Sequence, residues 1–181
     1  VLTLSGNDTI ANYQAALRSV KFSSTSDDPT LASSRLSRSI SWQVTDANSD
    51  AAGQAVSIPV TSTINITAVN DAPIITVPIV SLSYTENSAA VIISSGLTLS
   101  DADNTNLVGA TVTLGNTVSG DTLTFTPTSN VTGSYSGGVL TLSGSATVAE
   151  YQSVLRSVSF SSTSDDPTVD NTKPTRTVSI S

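Results

Sequence analysis

Phe22-Ser23-Ser24-Thr25-Ser26-Asp27-Asp28-Pro29-Thr30 returns without a change as Phe160 to Thr168. Working outward, Leu17-Arg18-Ser19-Val20 returns as Leu155 to Val158, and Tyr13-Gln14 as Tyr151-Gln152. Val1-Leu2-Thr3-Leu4-Ser5-Gly6 returns as Val139 to Gly144, and Arg38 as Arg176. The offset is 138 residues throughout, with no gap over 43 positions, of which about 25 are identical. Self-similarity at a fixed period marks a repeat protein. Asn70-Asp71-Ala72-Pro73 reads as the junction, because turn formers and Pro punctuate two strand-like runs there. A unit starting at Ala72 makes residues 1–71 the C-terminal part of one repeat. Residues 72–181 are then the N-terminal part of the next, without the strands that match residues 44–71.

Short Thr-, Val- and Ile-rich runs separated by Gly, Asn, Asp or Pro predict strands. These are residues 74–77, 97–99, 110–114, 122–125 and 139–142, with 39–44, 55–58 and 63–67 ending the first unit. One segment differs. Thr147-Val148-Ala149-Glu150 has the form of a capping box, and Val148, Tyr151, Leu155 and Val158 follow at helical spacing. The spacing predicts a helix from Val148 to Arg156, repeated at residues 10–18 with Asn12 in place of Glu150. The expected fold is all-β, a β-sandwich with one short helix per repeat.

Composition narrows the function. The chain has no Cys, Met or His, so thiol chemistry, Cys-zinc sites and the commonest general base are excluded. A net charge of -7 argues against nucleic acid and anionic lipid as partners. The apolar runs are too short to span a bilayer. Twelve of the fourteen acids are Asp, the residue of turns and of oxygen-ligand metal loops rather than of helical surfaces. Of the two lysines, Lys21 is replaced by Ser159 in the other copy and Lys173 by Arg35. A catalytic Lys is therefore not expected, and neither is enzymatic activity. Trp42 lies in an alternating strand and is expected in the core.

Several stretches together resemble the cadherin-like, immunoglobulin-like repeats of very large bacterial surface adhesins, proteins exported by type I secretion and associated with biofilms. They are Val69-Asn70-Asp71-Ala72-Pro73, Tyr84-Thr85-Glu86-Asn87, Leu97 to Asp103, Gly109-Ala110-Thr111-Val112 and Ser26-Asp27-Asp28-Pro29. The resemblance implies a secreted or cell-surface stalk stiffened by Ca2+ near the repeat junctions. Carried over by position, it implies Asn70, Asp71, Glu86, Asp101 and Asp103 as metal ligands. Alternating Asp in one loop suits calcium, which takes several oxygens. Asp101-Ala102-Asp103-Asn104 reads equally as a polar turn. Asp27-Asp28-Pro29 and Asp165-Asp166-Pro167 read as turns, and Asp46 and Asp50 as a hairpin loop that is a further ligand source.

Two structural roles follow, with neighbouring repeats or copies of itself as partners. The units are spacers in a covalent array, or the chain is the protomer of an extracellular filament. In the second case another copy supplies the missing strands by donor-strand complementation, and the homopolymer grows head to tail.

Overall fold

The computed structural model describes residues 1–49, 51–78 and 81–181, and the chain divides into two units, Val1–Val69 and Asn70–Ser181. The division falls before Asn70 and Asp71 because both hydrogen-bond onto residues of the second unit.

The first unit contains helix α1 (Ile10–Arg18) and strands β1 (Ser37–Trp42) and β2 (Val60–Asn65). β1 and β2 pair antiparallel, Arg38 opposite Ile64, Ile40 opposite Ser62 and Trp42 opposite Val60. Alternation puts those six residues on one face. Ser37, Ser39, Ser41, Thr61, Thr63 and Asn65 form the other, which is entirely polar. Residues 55–58 do not form the expected strand; only Val56 bridges, to Thr45. The reason is local: Asp46 Oδ1 accepts from the N–H groups of Asn48 and Ala55 and closes a loop there. Trp42 is half-buried rather than in a core, and its Nε1 donates to Ser62 Oγ at 2.8 Å.

The second unit runs β3 (Ile74–Thr76), β4 (Val91–Ile92), β5 (Thr98–Ser100), β6 (Asn106–Gly115), β7 (Asp121–Thr124), β8 (Thr132–Ser136), β9 (Val139–Thr147), α2 (Val148–Arg156), β10 (Ser159–Ser162) and β11 (Thr177–Ile180). All pairings are antiparallel. One sheet has the order β11-β6-β9-β8, a second β4-β10-β7, and β3 pairs with β5. The fold is all-β with two short helices. Side chains of both larger sheets and of α2 enter one core, including Val112, Leu123, Leu140, Leu142, Tyr151, Leu155 and Phe160. Strands β4, β8, β10 and β11 lie outside the expected runs, β11 being the 138-residue counterpart of the run at 39–44. β8 (TGSYS) and β10 (SFSS) are Ser-rich with one aromatic each, so they carry little apolar alternation.

Both helices form where expected, each with a Thr N-cap. Thr9 Oγ1 accepts from the Asn12 N–H and Thr147 Oγ1 from the Glu150 N–H. The capping box of α2 is half made. The Glu150 carboxylate does not return to Thr147 but accepts from Thr128 Oγ1 at 2.5 Å and from Asn130 Nδ2.

The two copies differ in what surrounds them. Leu140 and Leu142 are 1% exposed in β9, while their counterparts Leu2 and Leu4 are 67% and 40% exposed and belong to no strand. α2 buries Tyr151, Val154 and Leu155, whereas α1 buries no residue. The second unit supplies β6 and β7 beside its copy; no strand among the described residues of the first unit takes their place.

Candidate metal centre

Ile74 of β3 pairs with Ser100 of β5. That register sets the residues just before β3 beside those just after β5, and this is how Asn70 and Asp71 meet Asp101 and Asp103. Asp103 Oδ2 accepts from the Asp71 N–H at 3.0 Å. Asp103 Oδ1 accepts from Asn104 Nδ2 at 2.7 Å, and the same Nδ2 donates to Asn70 Oδ1 at 3.1 Å. Asn70 Nδ2 donates to the Asp71 carbonyl. Asp101 Oδ1 accepts from the N–H groups of Asn104 (2.8 Å) and Asp103 (3.1 Å) and folds the loop on itself. The Asn104 N–H above all holds the Asp101 carboxyl below the usual carboxylate range.

Glu86 stands on a separate turn, Thr85 to Ser88, where its carboxylate accepts from Asn87 Nδ2 at 3.3 Å. No described hydrogen bond links it to the other four predicted ligands. Sequence reasoning did not assign Asn104 as a ligand, although its amide ties Asn70 to Asp103. Its signal was its place in the Asp101-to-Asn104 run.

The cluster suits a hard cation in donor type, since every candidate ligand is oxygen. The Asn104 amide already draws Asn70 Oδ1 and Asp103 Oδ1 toward one point, as a cation would. Among the described residues no three acids converge closely enough to form a metal site by themselves. Asp103 accepts N–H donors at both carboxylate oxygens and Asp101 at Oδ1, so a cation held here would have to replace those donors.

The other Asp motifs have structural work. Asp28 accepts from the Thr30 N–H and Oγ1 and from the Ala32 N–H, and Asp166 does the same for Thr168 and Asp170. Each carboxylate holds three consecutive left-handed residues, Leu31 to Ser33 and Val169 to Asn171, at φ between 49° and 64°. An Arg closes each turn from behind: Arg38 donates to the Pro29 and Arg35 carbonyls, Arg176 to those of Pro167 and Lys173. Asp46 serves its loop, and Asp50 lies outside the described residues.

No protein-family model matches the chain, and no curated protein or solved structure is significantly similar to it. None of the described helices is long and apolar enough to cross a membrane.

Proposed function

We propose that this chain is a non-catalytic module of an extracellular stalk, built from immunoglobulin-like (cadherin-like) β-sandwich repeats and stiffened by calcium where one repeat leads into the next. The observation that carries this reading is the recurrence of one local structure at a 138-residue offset. The Thr-capped helix, the Asp-Pro turn with three left-handed residues and the closing Arg recur in the same order in both units. A tandem array of one module is the architecture of a spacer, not of an active site.

Asn70, Asp71, Asp101 and Asp103, with Asn104, would hold the calcium. The ion would supply charge that draws the loop after β5 against the segment entering β3. A dissociation constant of roughly 10⁻⁴ to 10⁻³ M is that of extracellular calcium modules. Isothermal titration with calcium, on the parent chain and on the Asp101→Asn, Asp103→Asn double variant, tests this. Binding to the parent and not to the variant is the expected result. Equal binding, or none to the parent, refutes the site.

A further inference from the structure

Only two of the twelve aspartates precede a proline, Asp28 and Asp166, and both lie in the segment that recurs unchanged, Phe22 to Thr30 and Phe160 to Thr168. The two Asp–Pro bonds share their flanking residues, so the fold around them decides how they differ. An Asp–Pro bond is sensitive to acid as a class. The carboxylate is tethered to its own carbonyl carbon, so attack closes a five-membered ring. The departing proline nitrogen is that of a tertiary amide and accepts a proton readily.

In both turns the attacking group and the leaving group are held. Asp28 Oδ1 accepts from the Thr30 N–H and Oγ1, both at 3.1 Å, and Oδ2 from the Ala32 N–H at 2.6 Å. Asp166 Oδ1 accepts from the Thr168 N–H (3.2 Å) and Oγ1 (3.0 Å), and Oδ2 from the Asp170 N–H at 2.8 Å. Every one of these donors lies beyond the Asp–Pro bond. They occupy both carboxylate oxygens and stabilise the charge that would attack. On the leaving side, Arg38 Nη2 donates to the Pro29 carbonyl and Arg176 Nη2 to the Pro167 carbonyl.

The arginines differ in their anchorage. Arg176 is paired with the fully buried Asp121 carboxylate at the start of β7, so the second turn is tied to the core. Among the described residues Arg38 pairs with no acid. Its hydrogen bonds run to the carbonyls of Pro29, Arg35 and Ser37, all in its own segment. The other charged groups of the two turns are Asp27 and Arg35 in the first, and Asp165, Asp170 and Lys173 in the second.

We propose that the Asp28–Pro29 bond is a latent self-cleavage site that opens in acid, and that Asp166–Pro167 is its core-locked counterpart. A carboxylate oxygen of Asp28 forms a bond to the Asp28 carbonyl carbon. The C–N bond to Pro29 breaks, and the proline nitrogen takes a proton from the medium and leaves as a secondary amine. Water opens the cyclic anhydride left on Asp28 and gives a C-terminal Asp. Backbone N–H donors hold both carboxyls below their ordinary values, so the attacking, ionised form persists into mild acid. The cut falls between α1 and β1 and parts the first unit.

Intact-mass spectrometry of the full chain, incubated at about pH 3.5 with and without urea, tests this. Without urea, fragments 1–28 and 29–181 are expected to form about fivefold faster or more than 1–166 and 167–181, the ratio that one lost contact supplies. In urea the turns are gone, and the two bonds are expected to break at equal rates. Asp28→Asn, assayed in urea so that its folding is immaterial, is expected to lose the 28–29 cut and keep the 166–167 one. Equal rates without urea overturn the lock, and so does an excess at 28–29 that persists in urea. A folded chain that stays intact overturns the acid-opened site. Continued cutting at 28–29 in the Asn variant overturns Asp28 as the nucleophile.

Discussion

Arg176 Nε donates to Asp121 Oδ2 at 2.5 Å, and the Asp121 side chain is fully buried. The same Arg reaches back to the Pro167 and Lys173 carbonyls, so one side chain ties the start of β7 to the left-handed turn before β11. Its counterpart Arg38 makes the two turn contacts with no acid paired to it among the described residues. Asp121→Ala would leave a guanidinium largely buried and unpaired, which costs about 3–5 kcal/mol. Arg38→Ala should cost far less. Urea unfolding of the two variants, read as midpoint shifts, checks the contrast.

The repeated glycines predict a second contrast. Gly144 has φ +128°, and a Cβ there would sit 1.8 Å from the Asn130 carbonyl oxygen. Gly6 has nearly the same φ, +134°, but nothing within 4 Å. Gly144→Ala combines backbone strain with a backbone clash and should cost about 3 kcal/mol, against about 1 kcal/mol for Gly6→Ala. Thermal melts of both variants give the comparison.

Leucine truncation should separate the two helices. Leu155 is 1% exposed, and Leu155→Ala should destabilise by about 2–5 kcal/mol. Leu17, at the same place in α1, lies outside any buried cluster, and Leu17→Ala should cost about 1 kcal/mol or less. Equal losses in denaturant unfolding would mean that α1 is packed as α2 is.

Stability should fall in acid, with a known sign. Asp28, Asp101, Asp166 and Glu150 all have carboxyls held below their ordinary values. Backbone N–H groups do this first for the aspartates, and the Thr128 hydroxyl first for Glu150. A carboxyl depressed in the folded state contributes its full stability above the unfolded value. It loses that contribution as pH falls through the folded one. Urea midpoints should therefore be flat from neutral pH to about 5 and decline below about 4. Asp166→Asn should weaken that decline.

The sequence was most legible where structure is local. Thr147 caps α2 and Thr9 caps α1 although only one of the helices is buried, because a cap and four residues of helical spacing are satisfied within the segment. The Asp-Pro turns are local in the same way. Strands depend on partners. Val139 to Gly144 forms most of β9, while the identical Val1 to Gly6 forms no strand, since β6 lies beside one copy and not the other. No pattern inside six residues carries that difference. Of the residues in the candidate cluster, Asp101 and Asp103 stood out by residue type, as alternating Asp in one loop, while Asn70 and Asp71 followed the family resemblance. Their meeting depends on the pairing of β3 with β5, a contact between distant parts of the chain. Glu86 followed the same resemblance, and its turn lies apart from the cluster's hydrogen bonds.

Thermal unfolding in millimolar calcium and in chelator, for the parent chain and the Asp101→Asn, Asp103→Asn variant, tests the central claim most directly. A ligand that binds only the folded state raises its melting temperature by mass action. The account predicts a rise of a few degrees, about 2–5 °C, for the parent and none for the variant. Parent melts that coincide in calcium and chelator would contradict a calcium-stiffened repeat.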